Sequence, residues 1–165
     1  MEIILAFPLL VIGAVLQTAL INRLTLLNGS ADIILIIIIA WSLQDRIRYG
    51  WFWAILAGMI MTYISALPAP VFLVGYLGAT TIARAFQNRI WQAPLLAMML
   101  VTLASSFGIL GAELIILQIT SVNLPLIQSL TRIILPSILL NLFFSAPIYI
   151  LMRDLANWIY PQTRE

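Results

Sequence analysis

The stretch that decides the fold reads NGSADIILIIIIAWSL and covers residues 28–43. Its polar start contains Ser30 and Asp32, and either side chain is placed to accept hydrogen bonds from the first free N–H groups of a helix. The apolar run that follows, residues 33–43, extends only about 16 Å as a helix. The hydrocarbon core of a bilayer is ~30 Å thick. We therefore predict that this helix extends over residues 30–48, about 28 Å, with polar ends in the membrane interface.

The rest of the chain is equally apolar. Of its 165 residues, 63% are hydrophobic and 8% are charged, against roughly a quarter charged in soluble domains. Six spans of about 20 residues would use ~120 residues and leave no room for a second domain. The N-terminus lacks the basic start and cleavage site of a signal peptide, so it is predicted to be a retained span. We predict one all-α membrane domain over residues 1–165, a six-helix bundle with helices at 3–21, 30–48, 51–67, 71–84, 94–119 and 132–152.

The arginines indicate how this bundle is oriented. All eight basic residues are Arg, and short loops rich in Arg remain cytoplasmic. With six helices and the N-terminus inside, the outer loops hold Arg23 and Arg132, and the inner segments hold Arg46, Arg48, Arg84, Arg89, Arg153 and Arg164. Both termini are therefore predicted to be cytoplasmic. The scattered arginines form no patch dense enough for nucleic acid, so no nucleic-acid partner is expected.

The composition also restricts the chemistry. The chain contains no Cys and no His, which excludes disulfides, thiolate or imidazole metal sites and imidazole acid–base catalysis. No Walker-type loop, HExxH, GxSxG or GxGxxG motif is present. Without His or Lys, a serine nucleophile lacks its usual activating base. We predict that the protein is not an enzyme and has no catalytic residue, cofactor or metal site.

Small residues spaced four apart favour close packing of membrane helices. They predict a tight core of the third, fourth and fifth helices, in which Gly58, Gly75 and Gly108 lie at helix contacts; the alternative is that Gly and Ala are simply common in such helices. The three stripes are Gly50, Ala54 and Gly58, then Gly75, Ala79 and Ala83, then Ala104, Gly108 and Ala112. In the last helix, Pro147 should free the Phe143 carbonyl and introduce a kink at a packing position.

Glu113 is the clearest ionisable residue within a predicted span. It lies about 28 Å along the fifth helix from Pro94, close to the outer face. Asp32, Arg23 and Arg132 should lie near the same face, so we predict an outer cluster of Glu113, Arg132, Asp32 and Arg23 that binds a partner or small ligand. The alternatives are a structural Glu–Arg pair or a carboxylate reaching toward the headgroups.

Two amides lie at the bilayer's middle depths in the predicted spans. Gln17 and Asn141 should form hydrogen bonds between helices there, most simply as structural contacts. The spacing of Asp32 and Glu113 gives no indication that the two carboxylates meet.

A series of short motifs, in order over most of the chain, resembles the MreD family of bacterial rod-shape-determining membrane proteins. It differs from that family in having Ala31 where proline is usual before the aspartate. The motifs are Leu16-Gln17-Thr18-Ala19-Leu20, Asp32 before an Ile/Leu-rich helix, Gly50, Ala57-Gly58, Gly75-Tyr76, Leu135-Pro136, Leu140-Asn141 and Ala146-Pro147-Ile148-Tyr149.

This resemblance implies a non-enzymatic scaffold in the bacterial cytoplasmic membrane. Such a subunit binds the single-span protein MreC, contacts membrane lipid, and couples MreB filaments and the glycosyltransferase–transpeptidase pair to peptidoglycan synthesis in the cell-elongation machinery. The family is also thought to share the six-helix fold of substrate-binding subunits of energy-coupling-factor transporters. The alternative function is therefore capture of a vitamin or other small molecule near Glu113 and Arg132. Those subunits commonly dock their partner through Ala-xxx-Ala on the first helix, where this chain has only Ala14-xxx-Thr18.

Overall fold

The computed structural model describes residues 2–19, 28–45, 47–65, 68–87, 93–120 and 126–160. These residues form helices and short connections, with no β-strand among them. The predicted all-helical class is therefore confirmed. The elements are α1 (Glu2–Ala19), α2 (Ile33–Ser42), α3 (Gly50–Ile64), α4 (Ala69–Gln87), α5 (Pro94–Ile119), α6 (Leu126–Ser129), a π-helical turn (Leu130–Ile134) and α7 (Leu135–Ile159).

Two of the described helices, Pro94–Ile119 and Ile127–Ile159, are long and apolar enough to cross a membrane. The second of these consists of α6, the π-helical turn and α7, which follow one another without a break. Three other apolar helices are shorter: Ile3–Ala19, Ile33–Ser42 and Gly50–Ile64. By length and composition, the described part of the chain thus contains two candidate membrane spans.

Helix α2 is the central element of the bundle. All ten of its residues are buried, and α1, α3, α4, α5 and α7 all pack against it. A helix enclosed on every side needs no polar face, which accounts for its unbroken Ile/Leu run. It is shorter at both ends than the predicted 30–48 and extends about 15 Å.

Helix α2 begins at Ile33 because the preceding segment bonds to another helix. We call residues 28–32 the entry segment. Its alternate N–H groups donate to α7 and the turn before it: Asn28 to the Arg132 carbonyl (3.1 Å), Ser30 to Ser137 Oγ (3.0 Å) and Asp32 to Asn141 Oδ1 (2.7 Å). From Asn28 to Asp32 there are four residue steps, and from Arg132 to Asn141 there are nine. Four steps of extended chain and nine steps of helix both cover about 13 Å. The entry segment is therefore extended and lies alongside the helix.

Pro136 makes this contact possible. Proline has no N–H and its ring excludes the carbonyl four residues earlier, which here belongs to Arg132. The helix widens at this point, and the Leu135 N–H bonds to the Leu130 carbonyl, as in a π-turn. The Arg132 carbonyl accepts the Asn28 N–H instead. Gly29 fits here because a Cβ atom on it would lie 2.6 Å from the Ser137 nitrogen and 2.8 Å from Pro136 Cβ.

Two of the three predicted glycines lie at close helix contacts. A Cβ on Gly58 would lie 2.8 Å from Leu73 Cδ2 and 3.1 Å from Leu73 Cα, where α3 meets α4. A Cβ on Gly75 would lie 2.7 Å from Ile109 Cγ1, where α4 meets α5. At both glycines the two helices lie so close that a side chain would not fit, as is typical of small residues at contacts between membrane helices.

Gly108 does not lie at a helix contact, contrary to prediction. A Cβ on it would meet nothing within 4 Å, and the residue is exposed. The reason is the rotation of α5, which turns the neighbouring positions inward and the stripe of Ala104, Gly108 and Ala112 away from the core. The residues that α5 buries are Ala97, Met98, Val101, Thr102, Ser105, Ser106 and Ile109.

Pro147 is also not at a packing position. Its side chain is exposed, and α7 continues through it from Leu135 to Ile159. An outward-facing ring meets no neighbouring helix, so the bundle tolerates the proline without a special contact. The predicted end of this helix near residue 152 is likewise passed, and Arg153 and Asp154 belong to the helix.

Helix α4 fixes the chain that leaves α2. The Arg84 guanidinium donates to the carbonyls of Ile47 (3.0 Å) and Arg48 (2.8 Å). Gln87, one turn later, donates to the Gln44 carbonyl (2.8 Å). These carbonyls follow the end of a buried helix, and the bonds to them join α4 to the chain after α2.

Replacing Gly58 by valine should destabilise the bundle by about 1–3 kcal/mol, because the new side chain meets the backbone of α4 and forces the helices apart. Gly78→Val is the matched control, since a Cβ on Gly78 has nothing within 4 Å. Thermal unfolding in detergent should show a lower midpoint for Gly58→Val alone. Equal midpoints for the two variants would contradict the close contact.

Candidate functional site

A cavity of about 230 Å³ lies at the N-terminus of α2. We call it the polar cavity. It is bounded by α1, α3, α4, α5, α7 and the entry segment, so its lining comes from nearly the whole length of the chain. The polar residues on its lining are Gln17, Ser30, Asp32, Ser65, Ser106, Glu113 and Asn141.

Asp32 links α2 to α4. Its carboxylate accepts the Leu35 N–H (3.0 Å) and thus caps α2. The Tyr76 hydroxyl lies 2.9 Å from one carboxylate oxygen and 3.2 Å from the other. Tyr76 is completely buried on α4, so its hydroxyl depends on this acceptor. One carboxylate therefore both ends the entry segment and holds a neighbouring helix.

Asn141 connects the entry segment to α5. Its side-chain oxygen accepts the Asp32 N–H (2.7 Å), and its side-chain nitrogen donates to Ser106 Oγ (2.9 Å). Asn141 and Ser106 are both buried and lie near the middle of the two longest helices. The amide thus uses both ends of its side chain to join three segments of the chain.

Gln17 provides a second cap for α2. Its side-chain oxygen accepts the Ile34 N–H (3.2 Å), and its side-chain nitrogen lies 3.8 Å from the sulfur of Met61. The first N–H groups of a helix have no partner within the helix, and burial makes their loss costly. Gln17 from α1 and Asp32 together satisfy two of them.

Glu113 lines the polar cavity without a hydrogen-bond partner in the described part of the chain. It is half-buried on α5. The structure therefore places the carboxylates of Asp32 and Glu113 on one cavity, which their spacing in the sequence did not indicate.

Of the predicted outer cluster, Asp32 and Glu113 line the cavity, and Arg132 does not. Arg132 is exposed on the π-helical turn. No ion pair joins Arg132 to Glu113 among the described residues. The fourth member, Arg23, lies outside the described residues. The structure thus brings together the two carboxylates of the predicted cluster and leaves Arg132 apart from them.

Sequence reasoning did not identify three residues of the site, which are Ser65 and Ser106 on the lining of the cavity and Tyr76 beside Asp32. The neighbours of Tyr76 on α4 are apolar, and a phenol hydroxyl buried among them requires a hydrogen-bond partner. Ser106 is one of several hydroxyl residues on α5, and nothing in the sequence distinguishes it from its neighbour Ser105. Only the position of Asn141 makes Ser106 part of the site.

The size and lining of the polar cavity restrict what it can bind. Ligand pockets commonly measure ~300–1,000 Å³, so this cavity suits waters or a small polar molecule better than a vitamin. Carboxylates accept hydrogen bonds, and a suitable occupant would be rich in donors or cationic. No group of three or more Asp, Glu, His or Cys side chains that could hold a metal ion occurs in the described ranges.

No protein-family model, curated protein or solved structure matches this chain. The assignment of a function therefore depends on the residues and on their arrangement in the fold.

Replacing Asn141 by alanine should cost about 1–3 kcal/mol of stability, because the Asp32 N–H and the Ser106 hydroxyl would both lose their partner. Asn157→Ala is a suitable control, since Asn157 lies on the same helix and is exposed. Denaturant unfolding in detergent micelles would measure the difference. An Asn141→Ala variant as stable as Asn157→Ala would show that the amide does not hold the entry segment.

Proposed function

We propose that this chain is a non-enzymatic, multi-pass scaffold of the bacterial cell-elongation machinery, which binds MreC and maintains rod shape by helping to organise peptidoglycan synthesis. One observation carries the proposal. The residues of the motifs that resemble the MreD family meet around the N-terminus of α2: Gln17, Asp32, Tyr76 and Asn141 lie in separate motifs, and each is bonded to α2 or to another of the four. These motif residues therefore have one structural role in common, which is to hold the start of α2.

The surface of the bundle supports a scaffold. The hydrogen bonds of Asp32, Tyr76 and Asn141 are made within the bundle, which leaves mainly apolar side chains exposed along the helices. Phe7 on α1, Val74 on α4 and Phe143 on α7 are each at least 60% exposed. Large exposed apolar surfaces mark membrane or protein contacts. Lipid and the membrane segments of other proteins are the natural neighbours of such a surface.

The positions of the arginines support a location in the cytoplasmic membrane with both termini inside. Arg48 and Arg84 lie together at the C-terminal end of α2. Arg153 lines a second polar pocket at this end, with Gln44 and Gln87. Arg132 lies at the opposite end, beside Asn28. Basic residues concentrated at one end of the bundle match the positive-inside rule.

In this orientation the arginine-rich end faces the cytoplasm. MreB filaments would approach this end, directly or through MreC. The exposed apolar faces would contact MreC and the glycosyltransferase–transpeptidase pair within the bilayer. The proposed topology has six spans. In it, α1 to α4 cross the membrane together with the two long helices.

Detergent-solubilised protein is expected to co-purify with MreC from the same genome, because the apolar contact between membrane helices survives in micelles. The comparison is a tagged chain and a tagged, unrelated multi-pass protein, each co-expressed with MreC. Loss of MreC from the purified chain, under conditions in which both proteins remain folded, would count against the scaffold.

The second candidate function is a ligand-binding subunit of a transporter. It is favoured by Glu113, a carboxylate on the polar cavity without a partner among the described residues. Two features speak for the scaffold instead. The cavity is small, and Ala14 of the Ala14-xxx-Thr18 pattern is buried in the bundle, where it is not available to dock a transporter partner.

Native mass spectrometry distinguishes the two functions. On the scaffold proposal, the purified chain carries no small polar ligand in near-stoichiometric amount, and Glu113→Gln leaves the spectrum unchanged. Asp154→Asn, at an exposed residue outside the cavity, is the control. A vitamin or other small molecule that is bound by the wild type and Asp154→Asn, and lost from Glu113→Gln, would favour the transporter subunit.

A further inference from the structure

A groove of about 550 Å³ runs between α4 and α5 on the outside of the bundle. We call it the α4/α5 groove. Its lining combines proline, valine and isoleucine side chains with small residues, which are Gly75, Gly78 and Ala79 on α4 and Ala104, Gly108 and Ala112 on α5. A Cβ atom added to Gly78 or Gly108 would have nothing within 4 Å. The stripe predicted to pack inside the bundle is thus presented to its surroundings.

Ser105 gives the α4/α5 groove a polar group. It lines the groove, is 4% exposed, and its hydroxyl has no hydrogen-bond partner among the described residues. A helical serine can donate to the carbonyl four residues earlier, but Ser105 does not bond to Val101 in this way. A buried hydroxyl without a partner is costly. The hydroxyl oxygen is itself buried, so the Ser105 side chain has to rotate toward the groove to reach an occupant. An occupant that offers a hydrogen-bond partner would favour this rotation.

These features select the kind of occupant. None of the described residues that line the groove is charged, so the groove favours an uncharged partner. A hydrocarbon tail is uncharged but offers no group to bond with Ser105. A transmembrane helix offers hydroxyls or carbonyls, and small residues allow its backbone to approach closely. From Ala104 to Ile116 the groove follows α5 for about 18 Å, more than half of the hydrocarbon core.

We propose that the α4/α5 groove binds one apolar transmembrane helix of a single-span partner, with a small or hydroxyl residue of that helix against Ser105. The inference rests on the proposed function, in which MreC is the partner that supplies this helix.

A second groove, of about 390 Å³, lies between α1 and α7 over α2. It is lined by large apolar residues such as Ile12, Phe144 and Leu151, and none of its described lining residues has a polar side chain that would distinguish a helix from lipid.

The test compares Gly108→Leu with Gly111→Leu in co-purification with MreC. Both glycines are on α5 and both have open space for a Cβ, but only Gly108 lines the groove. Leucine at 108 should fill the groove and reduce the recovered MreC by about tenfold or more, the effect of overpacking at a contact. Leucine at 111 should leave recovery close to wild type. Circular dichroism and the unfolding midpoint of each variant show whether it is folded.

Cross-linking gives a second measurement that does not depend on how the leucine variants fold. The chain has no cysteine, so single cysteines can be placed at Ala104, Ala112, Gly111 and, in the other groove, Ile12. Each variant is paired with MreC variants that carry one cysteine along the membrane span. We expect disulfides from positions 104 and 112, and none from 111 or 12.

The outcomes separate the two proposals. If the wild type does not retain MreC, the scaffold proposal fails. If it does, equal recovery with Gly108→Leu, or disulfides from position 12 but not from 104 and 112, would overturn the groove assignment and leave the scaffold intact. Recovery of lipid in the groove with MreC bound elsewhere would also overturn it.

Discussion

The first N–H groups of α2 are buried within the bundle, and much of the structure follows from the need to give them acceptors. A helix that starts at a water interface can leave these groups to solvent, but one that starts among packed side chains cannot. Asp32 and Gln17 accept two of them. The entry segment has the same need, because its backbone is extended and not helical. The acceptors for its N–H groups are a carbonyl freed by Pro136 and the side chains of Ser137 and Asn141.

The positions of the surrounding helices are consistent with this arrangement. Tyr76 must face the Asp32 carboxylate, which brings α4 against α2, and Ser106 must face Asn141, which fixes the rotation of α5. Gly58 and Gly75 allow the resulting close approaches of α3, α4 and α5. With Ser106 turned inward, the stripe that contains Gly108 is turned outward. The exposed groove is thus a consequence of the same hydrogen bonds that hold the buried end of α2.

This arrangement separates two kinds of surface. Asp32, Tyr76, Asn141 and Ser106 make their side-chain hydrogen bonds within the bundle, and the cavity beside them is small. The outer faces of the helices are apolar and grooved. The contrast between the two outer grooves depends on one hydroxyl, that of Ser105, and on the small residues beside it.

The sequence by itself determined the helical class, the approximate position of most helices, the absence of thiol and imidazole chemistry, and Gln17, Asp32, Glu113 and Asn141 as the polar residues of interest. Only the tertiary structure decided that Asp32 and Glu113 share a cavity, that Arg132 does not join them, that α2 is only ten residues long, and that Gly108 and Pro147 face outward. The physical reason is that these helices are apolar on nearly every side. In a soluble helix the apolar stripe identifies the buried face, but lipid and core favour the same side chains. The rotation of each helix is therefore set by hydrogen bonds and close contacts between residues far apart in the chain, which hydrophobic periodicity does not record.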